Sequence, residues 1–408
     1  MPEAVIVATA RSPIGRAFKG SLTTIRPDDL TSQMITAALA KVPQLDPAHI
    51  EDLLLGCGLP GGEQGFNLAR VVAVELGYDH LPGATITRYC SSSLQTTRMA
   101  FHAIKAGEGD VFLSAGVECV SRFATGSSDS WPDTHSPVFA EAEARTQQRS
   151  GAGAEAWHDP RLDDAIPDVY IAMGQTAENV AQLRGVSRQA QDEFGVRSQN
   201  LAEKAMADGF WGRDITPATL PDGTVVATDD GPRAGTTLEK IATLQPVFRP
   251  DGTVTAGNCC PLNDGAAAVV VMSDRKAADL GITPLARIVS TGVSALSPEI
   301  MGLGPVEASR QALRRAGMTI SDIDLVEINE AFAAQVIPSA RGIGVDPFSD
   351  KLNPHGGAIA LGHPFGMTGA RILCTLLNGL REKDKTYGLE TMCVGGGQGM
   401  AMIIERLN

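Results

Sequence analysis

The chain has 408 residues, 43% of them hydrophobic, enough to bury a large core, and its length suggests two or three domains. A formal charge of -13, from 34 basic and 47 acidic residues, disfavours nucleic acid or an anionic membrane surface as a partner; an anionic ligand therefore needs a local basic pocket. Met1–Ala10 lacks the parts of a secretory leader and no apolar run is long enough for a membrane span, so a cytoplasmic protein is expected. Seven cysteines, at 57, 90, 119, 259, 260, 374 and 393, show neither a disulfide framework nor CxxC metal spacing.

In chain order, strands are expected at Val5–Ala8, Asp52–Leu55, Thr85–Tyr89 and Val111–Ala115. Helical spacing of apolar residues marks Asp28–Val42, Asn67–Leu76 and Ser91–Ala106, the last ending at Gly107. This alternation is that of an α/β fold with a parallel sheet. From about Ser121 the texture becomes polar and irregular, then helical at Ser187–Asp208, where Phe194, Leu201 and Ala205 share a face. We read 121–251 as an inserted cap or loop domain. Regular α/β texture resumes near Gly252, with a strand at Ala266–Met272 that completes the 1–120 half through about 252–284. A second α/β half covers 285–408. A helix followed by GEGDVFLSA (107–115) is echoed by a helix followed by KTYGLETMCV (385–394), a degenerate repeat. Two halves packed face to face would bring their strand ends into one cleft.

Four segments carry chemistry. Arg88–Thr96 (RYCSSSLQT) sets Cys90 at a helix start, where free N–H groups and the helix dipole favour the thiolate; the serines that follow would serve equally as caps. Asn353–Gly369 (NPHGGAIALGHPFGMTG) surrounds His355 and His363 with five glycines, as backbone pressed against a ligand or another segment requires. His363, between Gly362 and Pro364, suits a general base or an oxyanion donor. Met392–Gly399 (MCVGGGQG) ends a strand with Cys393 and a turn whose N–H groups can hold an oxyanion; a plain hairpin or a phosphate cradle also fits, but the GKS or GKT of a P-loop is missing. Leu325–Ala334 (LVEINEAFAA) places Asn329 and Glu330 where a strand turns into a helix, either to orient a water or as an ordinary N-cap.

In this order, the cysteine segment, NEAF, GGAIALGHP and CVGGGQG resemble the thiolase family over essentially the whole chain, with TAENVA (176–181) and LNDGAA (262–267) as further similar stretches. The resemblance implies a duplicated five-layered αβαβα core with an inserted loop domain, working as a homodimer or homotetramer on acyl-CoA and CoA. It implies Cys90 as the nucleophile that carries the acyl group as a thioester. His363 would activate it and hold the thioester oxygen with a water placed by Asn329. Cys393 would move the proton of acetyl-CoA, and the backbone N–H groups of Cys90 and Gly395 would form the second oxyanion hole. Arg233 matches the family position near the nucleotide, Cys260 stands where the family has a serine that touches pantetheine, and Met173, Met301 and Phe332 match pocket-lining positions.

The chain departs from the family pattern at Thr87, Ser93 and Cys260. Ala172 stands before Met173 where acetoacetyl-specific members carry histidine, which leaves a wider, less polar pocket. The expectation is a degradative 3-ketoacyl-CoA thiolase of β-oxidation type, with no metal and no tightly bound cofactor, since coenzyme A is a substrate. A hydratase–dehydrogenase partner is compatible with it. Acetoacetyl-CoA thiolase in the condensing direction is the alternative. A decarboxylating ketoacyl synthase would not need Cys393, and a non-catalytic acyl-CoA-binding subunit would be expected to lack one of the four polar positions.

Overall fold

In a computed structural model, which describes residues 1–128, 131–153 and 155–408, the elements follow the alternating pattern. Three residues of the expected loop domain, Asp129, Ser130 and Ala154, lie outside the described residues. The first half holds β1 (Ala4–Arg11), α1 (Pro27–Ala40), β2 (Asp52–Cys57), α2 (Leu68–Glu75), β3 (Gly83–Ile86), α3 (Ser92–Ala106) and β4 (Val111–Cys119). Then come α4 (Ala140–Arg149), α5 (Met173–Arg184) and α6 (Arg188–Ala207), before the chain re-enters the sheet as β5 (Asn263–Ser273). The second half has β6 (Ala286–Ala295), α7 (Gly304–Ala316), β7 (Leu325–Ile328), α8 (Ala333–Ile343), α9 (Thr368–Glu382), β8 (Tyr387–Val394) and β9 (Gln398–Arg406).

The strands form one mixed sheet in the order β7-β8-β9-β6-β1-β5-β4-β2-β3, and the short strand Gly15–Arg16 pairs with β5. The duplication is visible in the pairing. β2 runs parallel to β4, which lies antiparallel to β5 and then β1; likewise β7 runs parallel to β8, which lies antiparallel to β9 and then β6. The two sets meet edge to edge through only two residue pairs, Val5 with Arg287 and Ile6 with Ala286. The echo read between the segments at 107–115 and 385–394 is thus α3–β4 answered by α9–β8.

Side-chain alternation separates the layers. On β1, Ala4 and Ile6 face an inner core shared with α3 and α9, while Val5 and Val7 face an outer core with Leu30, Met34 and Ile35 of α1. On β9, Met400, Met402 and Ile404 face inward, and Ala401 and Ile403 face Ala308 and Ala312 of α7. The order is therefore helix, strands, the α3–α9 pair, strands, helix. β5, apolar on both faces, is covered on both, as an unbroken AAAVVVM run requires. α3 and α9 cross closely because α9 carries Gly369, where a Cβ would lie 2.3 Å from the Leu94 nitrogen.

One boundary differs where it matters. The expected strand to Tyr89 stops at Ile86, and Tyr89–Ser91 forms a separate 3-10 turn before α3. Tyr89 sits at φ 45°, a left-handed conformation costly for a large side chain, which turns the chain sharply and presents Cys90.

Candidate active site

Cys90 is buried at the floor of a cavity of about 480 Å3, which is also lined by Met173, Gly395, Gly58, Phe365 and the stretch Val169–Ala172. Its thiol faces two backbone N–H groups, that of Gly395 and its own, which favour the thiolate. Burial outweighs them and pushes the thiol up to about 11. The expectation of an acidified cysteine at a helix start is therefore corrected: dehydration wins over the dipole, so Cys90 rests protonated and needs a base.

His363 is buried, its pKa pushed down to about 3 by dehydration and then by the Arg371 cation, so the imidazole is neutral. Its tautomer follows from the hydrogen bonds. Thr368 Oγ1 donates to the Pro364 carbonyl at 2.8 Å, so it accepts the His363 Nδ1–H at 2.6 Å. Nε2 keeps its lone pair and lies 3.3 Å from Asn329 Nδ2, which donates to it. Asn329 Oδ1 is buried with no partner among the described residues, the kind of atom a bound water or substrate oxygen satisfies. Asn329 is not a helix cap, because α8 begins later and its cap is Phe332.

Cys393, next to last on β8, is fully buried, its thiol pushed well up, first by burial and then by the nearby Cys90 sulfur. Cys260 lies within electrostatic reach of both thiols, and its backbone N–H donates to the Ala331 carbonyl at 3.0 Å. The fold thus brings Cys90, Cys393 and Cys260 together, and His363 with Asn329. Met173 and Gly395 join Cys90 on the cavity wall. Met301 and Phe332 do not line this cavity; both are buried in the outer core of the second half, Phe332 edge-on to Phe248 at 6.1 Å. Arg233 lies elsewhere, in a groove of about 260 Å3 with Lys240 and Gln199, its basicity lowered by burial and by Arg16. Arg233 and Lys240 thus put two basic side chains on one groove.

Two positions were missed from the sequence. Glu118, fully buried on β4, accepts from the N–H groups of Gly58 (2.7 Å), Leu59 (3.2 Å) and Gly366 (2.9 Å) and from Gln64 (2.8 Å). It ties the loop after β2 to the GHPFG loop, and so holds Cys90 and His363 in one frame. A glutamate in the apolar strand VFLSAGVEC was the available signal. Thr368, five residues after His363, sets the imidazole tautomer and left no signal apart from that spacing. Ala172 lines this cavity with the apolar Leu59, Val169, Ile171, Met173 and Phe365, and Ser128, Thr134, His135 and Tyr170 add polar groups. Among the described residues no group of three or more His, Cys, Asp or Glu is placed to hold a metal, and no helix is long and apolar enough to cross a membrane.

Comparison with known proteins is consistent with this geometry. Residues 4–275 match the family model described as "Thiolase, N-terminal domain" and residues 282–406 match "Thiolase, C-terminal domain". A 3-ketoacyl-CoA thiolase of Saccharophagus degradans is 42% identical over 99% of this chain and 98% of its own length. A 3-oxoadipyl-CoA/3-oxo-5,6-dehydrosuberyl-CoA thiolase of Escherichia coli is 41% identical over the full length of both. Among solved structures, the dimeric peroxisomal thiolase of Saccharomyces cerevisiae superposes with a TM-score of 0.89 at 34% identity, covering 100% of this chain and 98% of the other. A buried cysteine under two N–H donors, a neutral histidine and a second buried thiol, on a duplicated core matched from end to end, make this chain a member of the thiolase family of acyltransferases.

Proposed function

We propose that the protein is a degradative thiolase that cleaves a 3-ketoacyl-CoA with CoA to acetyl-CoA and an acyl-CoA shortened by that unit. The observation that carries this reading is the Cys90 thiol set against the N–H groups of Gly395 and itself, with the Cys393 thiol beside it. His363 Nε2 takes the Cys90 proton as the sulfur attacks the C3 ketone, and the C2–C3 bond then breaks. Cys393 gives its proton to the departing C2 carbanion, releasing acetyl-CoA. The Cys393 thiolate then takes the proton of a fresh CoA thiol, whose sulfur attacks the acyl thioester, and the departing Cys90 sulfur takes back the proton held on His363. The N–H groups of Cys90 and Gly395 hold the C3 oxygen, in the addition to Cys90 and in the later transfer of its thioester, while His363 and a water on Asn329 hold the thioester oxygen of the departing acetyl unit.

In this reading, 1–120 with about 252–284 form the N-terminal half, 121–251 the CoA-binding loop domain and 285–408 the C-terminal half. The break between the two family matches, at 275–282, supports the last boundary. Arg233 holds a CoA phosphate, Cys260 the pantetheine arm, and Met173, on the wall of the cavity over Cys90, shapes the acyl region. The protein works in the cytoplasm as a homodimer or homotetramer without a tightly bound cofactor; a structural neighbour described as dimeric supports self-association. Mass spectrometry after mixing with a 3-ketoacyl-CoA tests the reading. Wild type is expected to gain an acyl group on Cys90, and Cys90→Ala to lose the adduct and at least about 10^4-fold of kcat. Cys393→Ala is expected to acylate Cys90 from an acyl-CoA yet fail to condense two acetyl units. An adduct on another residue refutes the mechanism.

A further inference from the structure

Aromatic side chains are scarce here, 5% of 408 residues with four tyrosines, yet the cavity over Cys90 is walled by rings: Tyr89, Tyr170, Phe365 and His135. Two of the four tyrosines therefore stand at one small cavity. The rings from the 135–170 stretch are packed on one another. His135 and Tyr170 stack parallel, 3.8 Å between centroids and 4° between planes, and Phe139 closes the edge of Tyr170 at 5.4 Å and 86°.

That flat face is held from several directions. His135 Nδ1 pairs with Glu143 at 2.9 Å, the Tyr170 hydroxyl accepts from the Ser136 N–H at 3.1 Å, and the Tyr170 N–H donates to Asp168 at 2.9 Å. Other rings sit nearer the chemistry. Phe365 stands edge-on to His363 at 5.2 Å, and Tyr89 lies against Gly395, where a Cβ would come within 3.3 Å of its ring. Ala172, short beside Met173, leaves the cavity at about 480 Å3, a size typical of sites for drug-sized ligands.

A linear aliphatic chain gains little from such walls and loses rotamer freedom on being ordered. A rigid ring gains stacked and edge contacts with little entropy to lose. We propose that the acyl group carried on Cys90 bears a ring, alicyclic or aromatic, seated between the His135–Tyr170 face and the rings of Tyr89 and Phe365. This deepens the thiolase reading and rests on it.

Thiolytic cleavage of three substrates of equal carbon number separates the cases: 3-oxononanoyl-CoA, 3-cyclohexyl-3-oxopropionyl-CoA and 3-phenyl-3-oxopropionyl-CoA. At least one ring substrate is expected to exceed the linear one by about 10-fold in kcat/KM. Tyr170→Ala and His135→Ala are each expected to lower that ring-to-linear ratio by about 10-fold, while Tyr170→Phe, which keeps the face, retains it. Because the readout is a ratio within each variant, partial loss of folded protein does not imitate it, and the wild-type ratio stands without any variant. A linear preference in wild type, or a ratio that neither alanine variant moves, overturns the inference and leaves the thiolase reading intact. Failure to cleave all three overturns both.

Discussion

The two central helices occupy equivalent places in the two halves, but opposite chemistry joins them to their strands. α3 meets β4 through hydroxyls: Thr96 and Thr97 each lie 2.8 Å from the Ser114 hydroxyl and each donate to the Ser93 carbonyl at 2.9 Å. α9 meets β7 and β8 through charge. Glu327 and Glu390 are register partners on these adjacent parallel strands, on the inner face with Leu325 and Met392, and Arg371 of α9 is buried with them. Both carboxyl oxygens of Glu390, and Nε and Nη1 of Arg371, have no partner among the described residues. Neutral hydroxyls can satisfy one another and do not respond to pH. Buried charges must be balanced by protonation and by water, so the α9 interface responds to pH where the α3 interface does not.

The largest test of this contrast removes the cation. Arg371→Ala empties the buried space beside the two carboxyls and is expected to cost about 2–5 kcal/mol, read by calorimetry; a loss below about 1 kcal/mol would remove the distinction between the two interfaces. Next in size is a pH effect. Burial raises Glu327 to about 8 and pushes Glu390 well above the usual carboxylate range. Both stay protonated in the folded state where the unfolded chain has released its protons, so stability falls as pH rises from about 4.5 towards 8. Glu390→Gln removes one of these groups. Its unfolding free energy, relative to wild type, is expected to be higher at pH 7.5 than at pH 5, by a difference on the order of 2 kcal/mol. Equal shifts at both pH values would place the carboxyl elsewhere.

At the start of α9, Thr368→Val removes the acceptor of the His363 Nδ1–H. A loss of about 10-fold in kcat is expected, with little change in KM, and a pH–rate profile altered relative to wild type. An unchanged profile would show that the tautomer is set by another group. The smallest effect belongs to the hydroxyl side. Ser114→Ala leaves Thr96 and Thr97 bonded to the Ser93 carbonyl, so about 1 kcal/mol is expected, the same at pH 5 and pH 7.5.

How far the chain could be read follows from the same contrast. Periodicity alone placed most strands and helices within a few residues, because α1, β4 and β5 are built on local spacing of apolar side chains. The motifs around Cys90, His363, Asn329 and Cys393 were readable because each pairs a reactive group with the glycines or turn that its backbone requires. The break at Tyr89 was not readable, since a left-handed tyrosine has no signature in composition. Neither was the tie made by Glu118 to Gly366, 248 positions away.

The sequence by itself marked an alternating α/β pattern and its duplication, which depend on short-range spacing, and its resemblance to the thiolase family supplied the layered plan and the candidate reacting groups. Only the tertiary structure decided their protonation and their company. Burial overrode the helix start at Cys90 and emptied His363 of charge, Arg233 fell in a groove apart from the cavity over Cys90, and rings far apart in the chain met above the thiol. Dehydration and shape are properties of what packs around a residue, and the packing partners come from everywhere in the chain.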